Sequence, residues 1–163
     1  MVLVGIPGSG KSAAGALVAD ALGLPLVEVA ELVEEQLGAP AAEVFAGGEA
    51  GYRLVEEARS LEALAAPGVV ALTSGAVASP AVRSALAGLP VVWLRASVAT
   101  VTRRLGMNSL GMAILVAIRT RMAAMVEERA RWYGSVATAV VDTDRLEVAA
   151  VAAAVLTELG AQP

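Results

Sequence analysis

The sequence predicts an α/β fold in which helices cover both faces of a five-stranded parallel sheet, and three observations lead to this prediction. Short runs rich in Val, Leu and Ala alternate along the chain with longer segments of helical periodicity, which is the pattern of βαβ units. The strand-like runs are apolar at almost every position, as expected for strands that are buried on both faces. A glycine-rich segment separates the first such run from the first helix, which is where α/β folds bind phosphate groups.

In the first half of the chain, glycine and proline mark the ends of the predicted elements. In order, these are a strand at 1–4, an alanine-rich helix at 13–22, a strand at 24–29, a helix at 31–37, a short segment at 41–46 and an amphipathic helix at 52–64. Gly23 and Pro25 introduce the second strand. The helix at 31–37 stops at Gly38-Ala39-Pro40, a typical helix end, and a turn at 47–48 precedes the amphipathic helix.

The second half of the chain repeats the alternation of strand and helix. After the break at Pro67-Gly68, the predicted elements are a strand at 69–72, a helix at 80–87, a strand at 91–94, a helix at 97–105, a loop at 106–112, a long helix to about residue 132, a strand at 136–141 and a helix at 146–159. Strands and helices at these spacings predict right-handed crossovers and a parallel sheet. Ligands are then expected at the carboxyl ends of the strands.

Composition favours a single domain with a large core. The chain has 163 residues, of which 57% are hydrophobic, enough for one domain that spans residues 1–163. The mean hydropathy of +0.70 is high, but the longest apolar runs, 110–118 and 148–156, are much shorter than a membrane span. We therefore expect no membrane contact. Because the first strand begins at once, we also expect no signal peptide and a cytoplasmic location.

Charge and residue usage exclude several kinds of chemistry. Cysteine and histidine are absent, which excludes disulfides, thiolate metal sites, cysteine nucleophiles and the commonest general base. Acid–base chemistry must therefore come from Asp or Glu. A net charge of −4, with only two Trp, two Tyr and one Phe, argues against nucleic acid as a partner. The predicted partners are small molecules.

Residues 5–12, GIPGSGKS, fit the phosphate-binding pattern G-x-x-x-x-G-K-[ST] at every fixed position. A strand precedes the motif and a helix follows it, which is the context that the motif requires. Its glycines let backbone N–H groups face phosphate oxygens at the positive end of the helix. The predicted nucleotide-binding residues of this segment are Gly8, Ser9, Gly10, Lys11, Ser12 and Ala13. Lys11 is predicted to contact the β- and γ-phosphates, and the Ser12 hydroxyl to contact Mg²⁺.

Lys11 is also the only lysine in the chain, since the other basic residues are all arginine. Lysine is thus absent from every position except the one in the motif, as though a compositional bias had removed it elsewhere. A compact ammonium on a flexible stem is not readily replaced there by a planar guanidinium. This observation favours a working phosphate site over a chance glycine-rich turn.

Taken in order, the motifs of the chain resemble those of the shikimate kinase family over nearly its whole length. The matching segments are GIPGSGKS at 5–12, GLPLVEV at 23–29, YRLVEE at 52–57, LTSGAV at 72–77, ERARWY at 128–133 and VDTD at 141–144. The resemblance implies a P-loop NTPase-type, three-layer α/β/α fold that is nucleoside-monophosphate-kinase-like. It also implies an ATP- and Mg²⁺-dependent kinase that phosphorylates a hydroxyl on a small carboxylate-bearing substrate, shikimate or a related acid.

The resemblance further implies roles for individual residues. The implied substrate-binding residues are Arg53, Glu56, Gly75 and Arg129, and the two arginines would hold the substrate carboxylate. Two guanidinium groups suit this role because arginine matches carboxylate geometry. Arg104 is expected to lie against the nucleotide. Lys11 and Glu28 are the expected catalytic residues, and Glu28 and Ser12 the expected Mg²⁺ residues.

Several positions depart from the family pattern. Ala30 stands where the family has the second Asp of D-x-D, and Glu28 replaces the first. Thr73 and Ser74 replace the first two glycines of a G-G-G turn. Three substitutes for the missing acceptor base remain open: Glu28, Glu31, and a water oriented by the hydroxyl of Thr73 or Ser74.

The predicted lid, a mobile segment around 106–117, departs from the pattern as well. Gly111 aligns with an arginine that contacts the transferring phosphoryl group in the family, so the lid of this chain is apolar and uncharged. Two classes of function therefore stay open. The first is a kinase for a small acid that acts as a monomer. The second is a nucleotide-binding protein that has lost phosphotransfer and binds a regulatory protein partner through the apolar lid. Another small P-loop kinase, for a nucleotide or gluconate, is a third possibility.

Overall fold

Five parallel strands form one sheet in the computed structural model, which describes residues 1–40, 43–44 and 48–160. The strands are β1 (Val2–Val4), β2 (Leu26–Glu28), β3 (Val69–Ala71), β4 (Val91–Arg95) and β5 (Ala139–Asp142). Their order across the sheet is β2-β3-β1-β4-β5, so β1 lies at the centre. Leu3 of β1 is in register with Ala71 of β3 and with Val92 of β4. This confirms the predicted α/β fold with a five-stranded parallel sheet.

Seven α-helices connect or flank these strands within the described residues. They are α1 (Lys11–Leu22), α2 (Val29–Leu37), α3 (Glu49–Ala65), α4 (Pro80–Ala85), α5 (Val98–Arg104), α6 (Met112–Val136) and α7 (Val148–Glu158). Short 3₁₀ turns lie at Ala76–Ala78 and Met107–Ser109. None of the helices in these described ranges is long and apolar enough to cross a membrane.

The helices form a layer on each face of the sheet. Helices α1 and α7 cover one face, where Val18 and Val155 join Leu3 in a buried cluster. Helices α2, α3, α4 and α6 cover the other face, where Val33 and Val82 pack with Val2 and Val4 in a second cluster. Alternate residues of β1 thus point into different cores, which is why this strand is apolar at every position.

The boundaries of several elements differ from those predicted. Helix α2 begins at Val29 directly after β2, so this strand is shorter than the predicted 24–29. Helix α6 continues to Val136, which was predicted to start the last strand; β5 begins only at Ala139. Helix α6 also begins at Met112, so residues 112–117 of the predicted lid are helical. Of the segment predicted at 41–46 and the turn predicted at 47–48, residues 41–42 and 45–47 lie outside the described residues.

The carboxyl ends of β1 and β3 meet at one edge of the sheet. The helix that follows β1 lies on one face, whereas the turn and helix that follow β3 lie on the other. Adjacent parallel strands whose connections leave to opposite faces open a crevice at this edge, and such crevices bind ligands in open α/β sheets. The predicted site residues are therefore expected at this edge.

Candidate active site

The loop between β1 and α1 has the backbone geometry that the glycine-rich motif predicts. Gly8 and Gly10 adopt left-handed conformations, with φ of 74° and 100°. A Cβ at Gly8 would lie 2.9 Å from Val101 Cγ1, and one at Gly5 would lie 2.6 Å from the carbonyl oxygen of Leu94. Any side chain at these positions would disrupt the loop. Helix α1 begins directly after Gly10, so its first N–H groups, which lack intrahelical partners, are presented to a ligand.

The Lys11 side chain lies against this loop. Its Nζ donates to the carbonyl oxygens of Gly5 at 2.9 Å and Ile6 at 3.2 Å. Burial lowers the pKa of Lys11 to about 8; the charge of Glu28 opposes this shift, whereas that of Arg129 adds to it. Lys11 therefore lies in the fields of both a carboxylate from β2 and a guanidinium from α6. A polyphosphate bound at this loop would restore the ammonium charge.

A cavity of about 320 Å³ opens from the glycine-rich loop. Its lining includes all the nucleotide-binding residues predicted from the motif and from the resemblance: Gly8, Ser9, Gly10, Lys11, Ser12, Ala13 and Arg104. Leu105, Leu146 and Val148 form an apolar wall of the same cavity. The combination of a phosphate-facing loop and an apolar wall suits a molecule with both a phosphate chain and a flat base.

Arg104 ties the end of α5 to the loop that follows β5. Its Nη1 donates to Thr143 Oγ1 at 3.0 Å, and its Nη2 donates to the Thr143 carbonyl oxygen at 2.6 Å. Thr143 is fully buried in the VDTD segment. The sequence predicted Arg104 at the nucleotide and matched Thr143 only as part of VDTD, without a contact to Arg104. It gave no role to Leu146 and Val148, because single apolar residues at the start of a helix carry no motif signal.

A second cavity, of about 260 Å³, contains three of the predicted substrate-binding residues. Arg53, Glu56 and Gly75 line it, together with Glu57 and Ser79 among others. The Glu56 carboxylate is only 3% exposed, and its Oε2 accepts from Arg53 Nη1 at 2.7 Å. Burial lowers the pKa of Arg53, but the hydrogen bonds and charges of Glu56 and Glu49 outweigh it and raise that pKa. Arg53 therefore stays charged beside this cavity.

The turn after β3, Thr73-Ser74-Gly75, is the point at which the predicted substrate residues meet. Thr73 Oγ1 donates to Glu56 Oε1 at 2.6 Å, and Arg129 Nη1 donates to Ser74 Oγ at 2.9 Å. The Arg53 guanidinium lies so close to Gly75 that a Cβ there would overlap it. Arg53 of α3 and Arg129 of α6 thus reach one turn from two helices.

Tyr133 contacts the backbone of this turn. Its hydroxyl donates to the Ser74 carbonyl oxygen at 2.7 Å, and its ring packs 5.6 Å from that of Trp93. Burial raises the pKa of Tyr133 above its usual range despite the nearby charge of Arg129, so the phenol remains a donor. Tyr133 is one turn of α6 beyond Arg129, and the same helix therefore supplies both contacts to the turn.

Glu28 lies at the carboxyl end of β2, where the first Asp of the family motif was expected. Its Oε1 is buried and has no hydrogen-bond partner among the described residues. A buried carboxylate oxygen of this kind needs a donor or a cation. Ala30, one residue into α2, is exposed and supplies no carboxylate, and Glu31 is exposed on the first turn of that helix.

The uncharged lid residues lie at the start of α6. Gly111 precedes the helix, and no atom lies within 4 Å of where its Cβ would be. Leu110, Met112, Ile114 and Val116 are 41%, 77%, 56% and 56% exposed. The structure thus places a row of exposed apolar side chains where the resemblance implies a phosphoryl-contacting arginine.

A glycine-rich loop after the central strand of a parallel sheet, with a cavity at the amino end of the following helix, defines a P-loop nucleotide-binding protein. A family model described as shikimate kinase matches residues 7–160. The chain belongs to the shikimate kinase family.

Individual relatives agree with this assignment. The chain is 42% identical over 161 residues to a shikimate kinase of Mycobacterium tuberculosis strain H37Ra, covering 97% of this chain and 92% of that one. It is 40% identical over 163 residues to a shikimate kinase of Mycobacterium avium, with 98% and 93% covered. The solved structure of a shikimate kinase from Acinetobacter baumannii in complex with shikimate superposes with a TM-score of 0.86 at 21% identity, covering 97% of this chain and 91% of that one. This last match supports the fold.

Proposed function

We propose that this protein is an ATP-dependent kinase that phosphorylates a hydroxyl group of shikimate or of a related small acid. The observation that carries the proposal is the convergence of Arg53 and Arg129 on the turn at 73–75, together with the phosphate loop at the carboxyl end of the adjacent strand. Two guanidinium groups at one turn suit a carboxylate, and the loop suits a polyphosphate. Family membership and the names of the relatives support the same activity.

In this proposal each element of the chain has a separate task. Lys11 and the first N–H groups of α1 bind the phosphates, and the apolar wall of the 320 Å³ cavity takes the base of the nucleotide. Arg53 and Arg129 hold the carboxylate of the acceptor and Gly75 lets Arg53 approach, while Glu56 fixes Arg53. Phosphoryl transfer depends chiefly on positioning and on electrostatic stabilisation, so holding the acceptor hydroxyl in line with the γ-phosphate accounts for most of the catalysis.

The residues near the phosphate loop also fit a Mg²⁺ ion that is held partly by the nucleotide. Ser12 on the first turn of α1 and the unpartnered Oε1 of Glu28 are the oxygen donors that the chain would offer. Within the residues described, no group of three or more acidic side chains could hold a metal by itself. This matches the usual binding of Mg²⁺ through one or two protein oxygens plus phosphates and water. When bound, the ion would neutralise charge on the transferring phosphoryl group.

The proposal is tested by two measurements on the full chain. Calorimetric titration of ATP·Mg²⁺, with and without shikimate, should show nucleotide binding that shikimate strengthens or weakens. An assay of ADP release across shikimate and other small hydroxy acids should then identify the acceptor. Lys11→Ala should abolish the thermal stabilisation by nucleotide, because the phosphate loop loses its only ammonium. An unchanged thermal shift in this variant would contradict the placement of the nucleotide site.

A protein that binds nucleotide without transferring phosphate is the alternative that the sequence leaves open. Ala30 and Gly111, which lack the charged groups of the family pattern, are the observations that motivate it, whereas the names of the matched relatives give it no support. Nucleotide binding without ADP release on any acid would favour this alternative. We further propose a monomer in the cytoplasm with a mobile lid at 106–117; binding of a protein partner to the apolar lid belongs to the alternative.

A further inference from the structure

The turn after β3 carries two hydroxyl groups, and each contacts a charged side chain of the proposed acceptor site. Thr73 Oγ1 donates to Glu56 Oε1 at 2.6 Å, and Ser74 Oγ accepts from Arg129 Nη1 at 2.9 Å. Both residues are half-buried, between the carboxyl end of β3 and the start of the 3₁₀ turn at Ala76–Ala78. The hydroxyl groups therefore lie between the sheet and the charged groups that meet at this turn.

Thr73 completes a chain of hydrogen bonds that ends at Arg53. The buried Glu56 carboxylate uses one oxygen to accept from Thr73 and the other to accept from Arg53 Nη1 at 2.7 Å. With both oxygens engaged, the carboxylate cannot rotate without breaking one of these bonds. The Tyr52 hydroxyl also hydrogen-bonds this carboxylate, so loss of the Thr73 hydroxyl would remove one of the donors that hold it. Weakening the hydrogen bonding of a 3%-exposed carboxylate costs more than losing an exposed contact.

The Ser74 hydroxyl bonds the second arginine and keeps its own proton available for another acceptor. In its bond with Arg129 the hydroxyl oxygen is the acceptor, so the hydroxyl proton is not used there. The backbone of Ser74 is fixed separately, because its carbonyl oxygen accepts from Tyr133 at 2.7 Å. Arg129 and the Ser74 hydroxyl together therefore offer donors of fixed position to an anion at this turn.

We propose that Thr73 and Ser74 are positioning residues that make the site selective for a carboxylate-bearing acceptor. Thr73 fixes Arg53 through Glu56, and Ser74 fixes Arg129 directly. The inference rests on the proposed kinase function and deepens it: selectivity for the acid depends on guanidinium groups held in place before the acceptor arrives, since a preorganised site loses less entropy on binding. It also gives the Thr73 hydroxyl a role other than orienting a water, because its proton is already donated to Glu56.

The test compares Thr73→Val, Thr73→Ser and Ser74→Ala with the wild-type enzyme. Valine keeps the shape of threonine without the hydroxyl, and serine keeps the hydroxyl without the methyl group. The measurements are kcat and KM for shikimate and for its methyl ester, which lacks the carboxylate charge, at saturating ATP·Mg²⁺. We expect Thr73→Val to raise KM for the acid about tenfold, the size of effect expected for a lost hydrogen bond to a buried charge. Its kcat and its KM for the ester should change less than about twofold, a split characteristic of lost ground-state binding.

Two further comparisons separate positioning from general damage. Thr73→Ser should restore the KM for the acid to within about twofold of wild type, because it restores the donor. Ser74→Ala should also reduce the preference for acid over ester, by releasing Arg129. Thr157→Val is the matched control: Thr157 is exposed on α7, and its hydroxyl donates to the Ala153 carbonyl oxygen, away from both cavities, so its kinetic constants should equal those of wild type.

Several results would overturn the inference. These are an unchanged KM for the acid in both Thr73→Val and Ser74→Ala, an equal loss for acid and ester, or a failure of Thr73→Ser to rescue. If thermal melts show that Thr73→Val does not fold, Ser74→Ala decides by itself. If the wild-type protein phosphorylates nothing, the proposed function fails, and the inference is then tested by calorimetric measurement of binding. Wild type should still bind shikimate more tightly than the ester, and both variants should lose that difference. Equal binding of acid and ester by wild type would overturn the inference as well.

Discussion

At position 75 the absence of a side chain decides where Arg53 lies. A Cβ on Gly75 would overlap Arg53 Nη1 and would lie 2.9 Å from Arg53 Cζ. The backbone φ of Gly75 is −93°, which any residue can adopt, so the requirement for glycine is one of space and not of conformation. The two atoms nearest to an added Cβ belong to the end of the Arg53 side chain, and Glu56 Oε1 comes next at 3.1 Å, so a side chain at this position acts on the Arg53–Glu56 pair.

Gly75→Ala should displace the Arg53 guanidinium and weaken binding of the acidic acceptor. We expect KM for the acid to rise about tenfold, with loss of an arginine–carboxylate hydrogen-bond pair as the cause. The melting temperature should fall by a few degrees, because displacing the guanidinium weakens its bond with the buried Glu56 carboxylate. Steady-state kinetics and a thermal melt measure the two effects. Gly88→Ala, which has open space around its Cβ but a φ of +80°, should show the opposite pattern, a stability loss with unchanged KM.

Arg53 has a second carboxylate partner, and this one is exposed. Glu49 Oε1 accepts from Arg53 Nε at 3.3 Å and from Nη2 at 3.2 Å, with 61% of the Glu49 side chain exposed. These two nitrogens form the edge of a guanidinium that binds a carboxylate most favourably. Glu49 therefore occupies the edge that an acidic acceptor needs, and an acceptor must compete with it.

Glu49→Gln should remove this competition and tighten binding of the acid. Exposed ion pairs contribute roughly 0–1 kcal/mol, so KM for the acid should fall by up to about fivefold, with kcat unchanged. Glu62→Gln is the matched control, since it removes the same charge from the same helix and breaks the pair of Glu62 with Arg59. A rise in KM for Glu49→Gln would mean instead that Glu49 holds Arg53 in its working position.

Among single residues, those that belong to a motif could be predicted from the sequence, and those that complete a network could not. The spacing in GIPGSGKS predicts the loop because its glycines and lysine have fixed geometric tasks. The bond from Thr73 to Glu56 joins residues 17 positions apart, on a turn and on a helix. No local pattern encodes such a contact, because it depends on how α3 packs against the sheet.

At the scale of elements, the start of α6 is where this chain differs most from what its family resemblance implies. Gly111 lies just before Met112, with φ of −55° and open space around its Cβ position. Any side chain is therefore sterically acceptable there. Residues 112–117 are all apolar, and most of them are exposed, so this segment offers no charged side chain to the phosphate loop.

Gly111→Arg should raise the rate of phosphoryl transfer. If the lid of a family member contributes an arginine to the transferring group, restoring it should increase kcat by about tenfold or more, since arginines in such positions are worth several orders of magnitude. The measurement is kcat for the best acceptor found in the ADP-release assay, with nucleotide affinity measured in parallel. Gly111→Leu serves as the control for bulk at this position. Equal rates in the arginine and leucine variants would mean that this segment does not approach the phosphoryl group.

Element boundaries were predicted less well than element types, and the reason is visible at two junctions. Residues 28–29 pass from β2 to α2 without a loop, and Glu28 stands at the N-cap position without a side-chain capping bond. A run of apolar residues that crosses such a junction gives no signal of where the strand ends. At the other junction Val136 is β-branched, which favours a strand, but it packs on the core from the last turn of α6. Tertiary packing outweighs propensity there.

For the whole molecule, the order of the strands explains why charges that are distant in sequence meet at Lys11. Lys11 follows β1, Glu28 ends β2 and Arg129 belongs to α6, yet the charges of the latter two both act on Lys11. The alternation of strands and helices predicted a parallel sheet, but periodicity alone does not specify the order β2-β3-β1-β4-β5. The charges that act on Lys11 therefore could not be predicted from the sequence without knowing the strand order.

This environment makes the stability of the protein depend on pH through Lys11. Its pKa is about 8 in the folded chain, against a usual value of 10.5. Between these values the unfolded chain holds a proton that the folded chain has released, so the free energy of unfolding rises with pH in this window.

Urea unfolding of wild type and Lys11→Met at pH 8 and pH 10 measures the effect. The free energy of unfolding of wild type should gain about 1–2 kcal/mol on the variant between these two pH values. Tyr52 and Tyr133, whose pKa values are raised by burial, affect both proteins equally and cancel in the difference. Parallel pH profiles for the two proteins would show that Lys11 keeps its ordinary pKa, and that the loop, with its two carbonyl acceptors, fully replaces the water that burial removes.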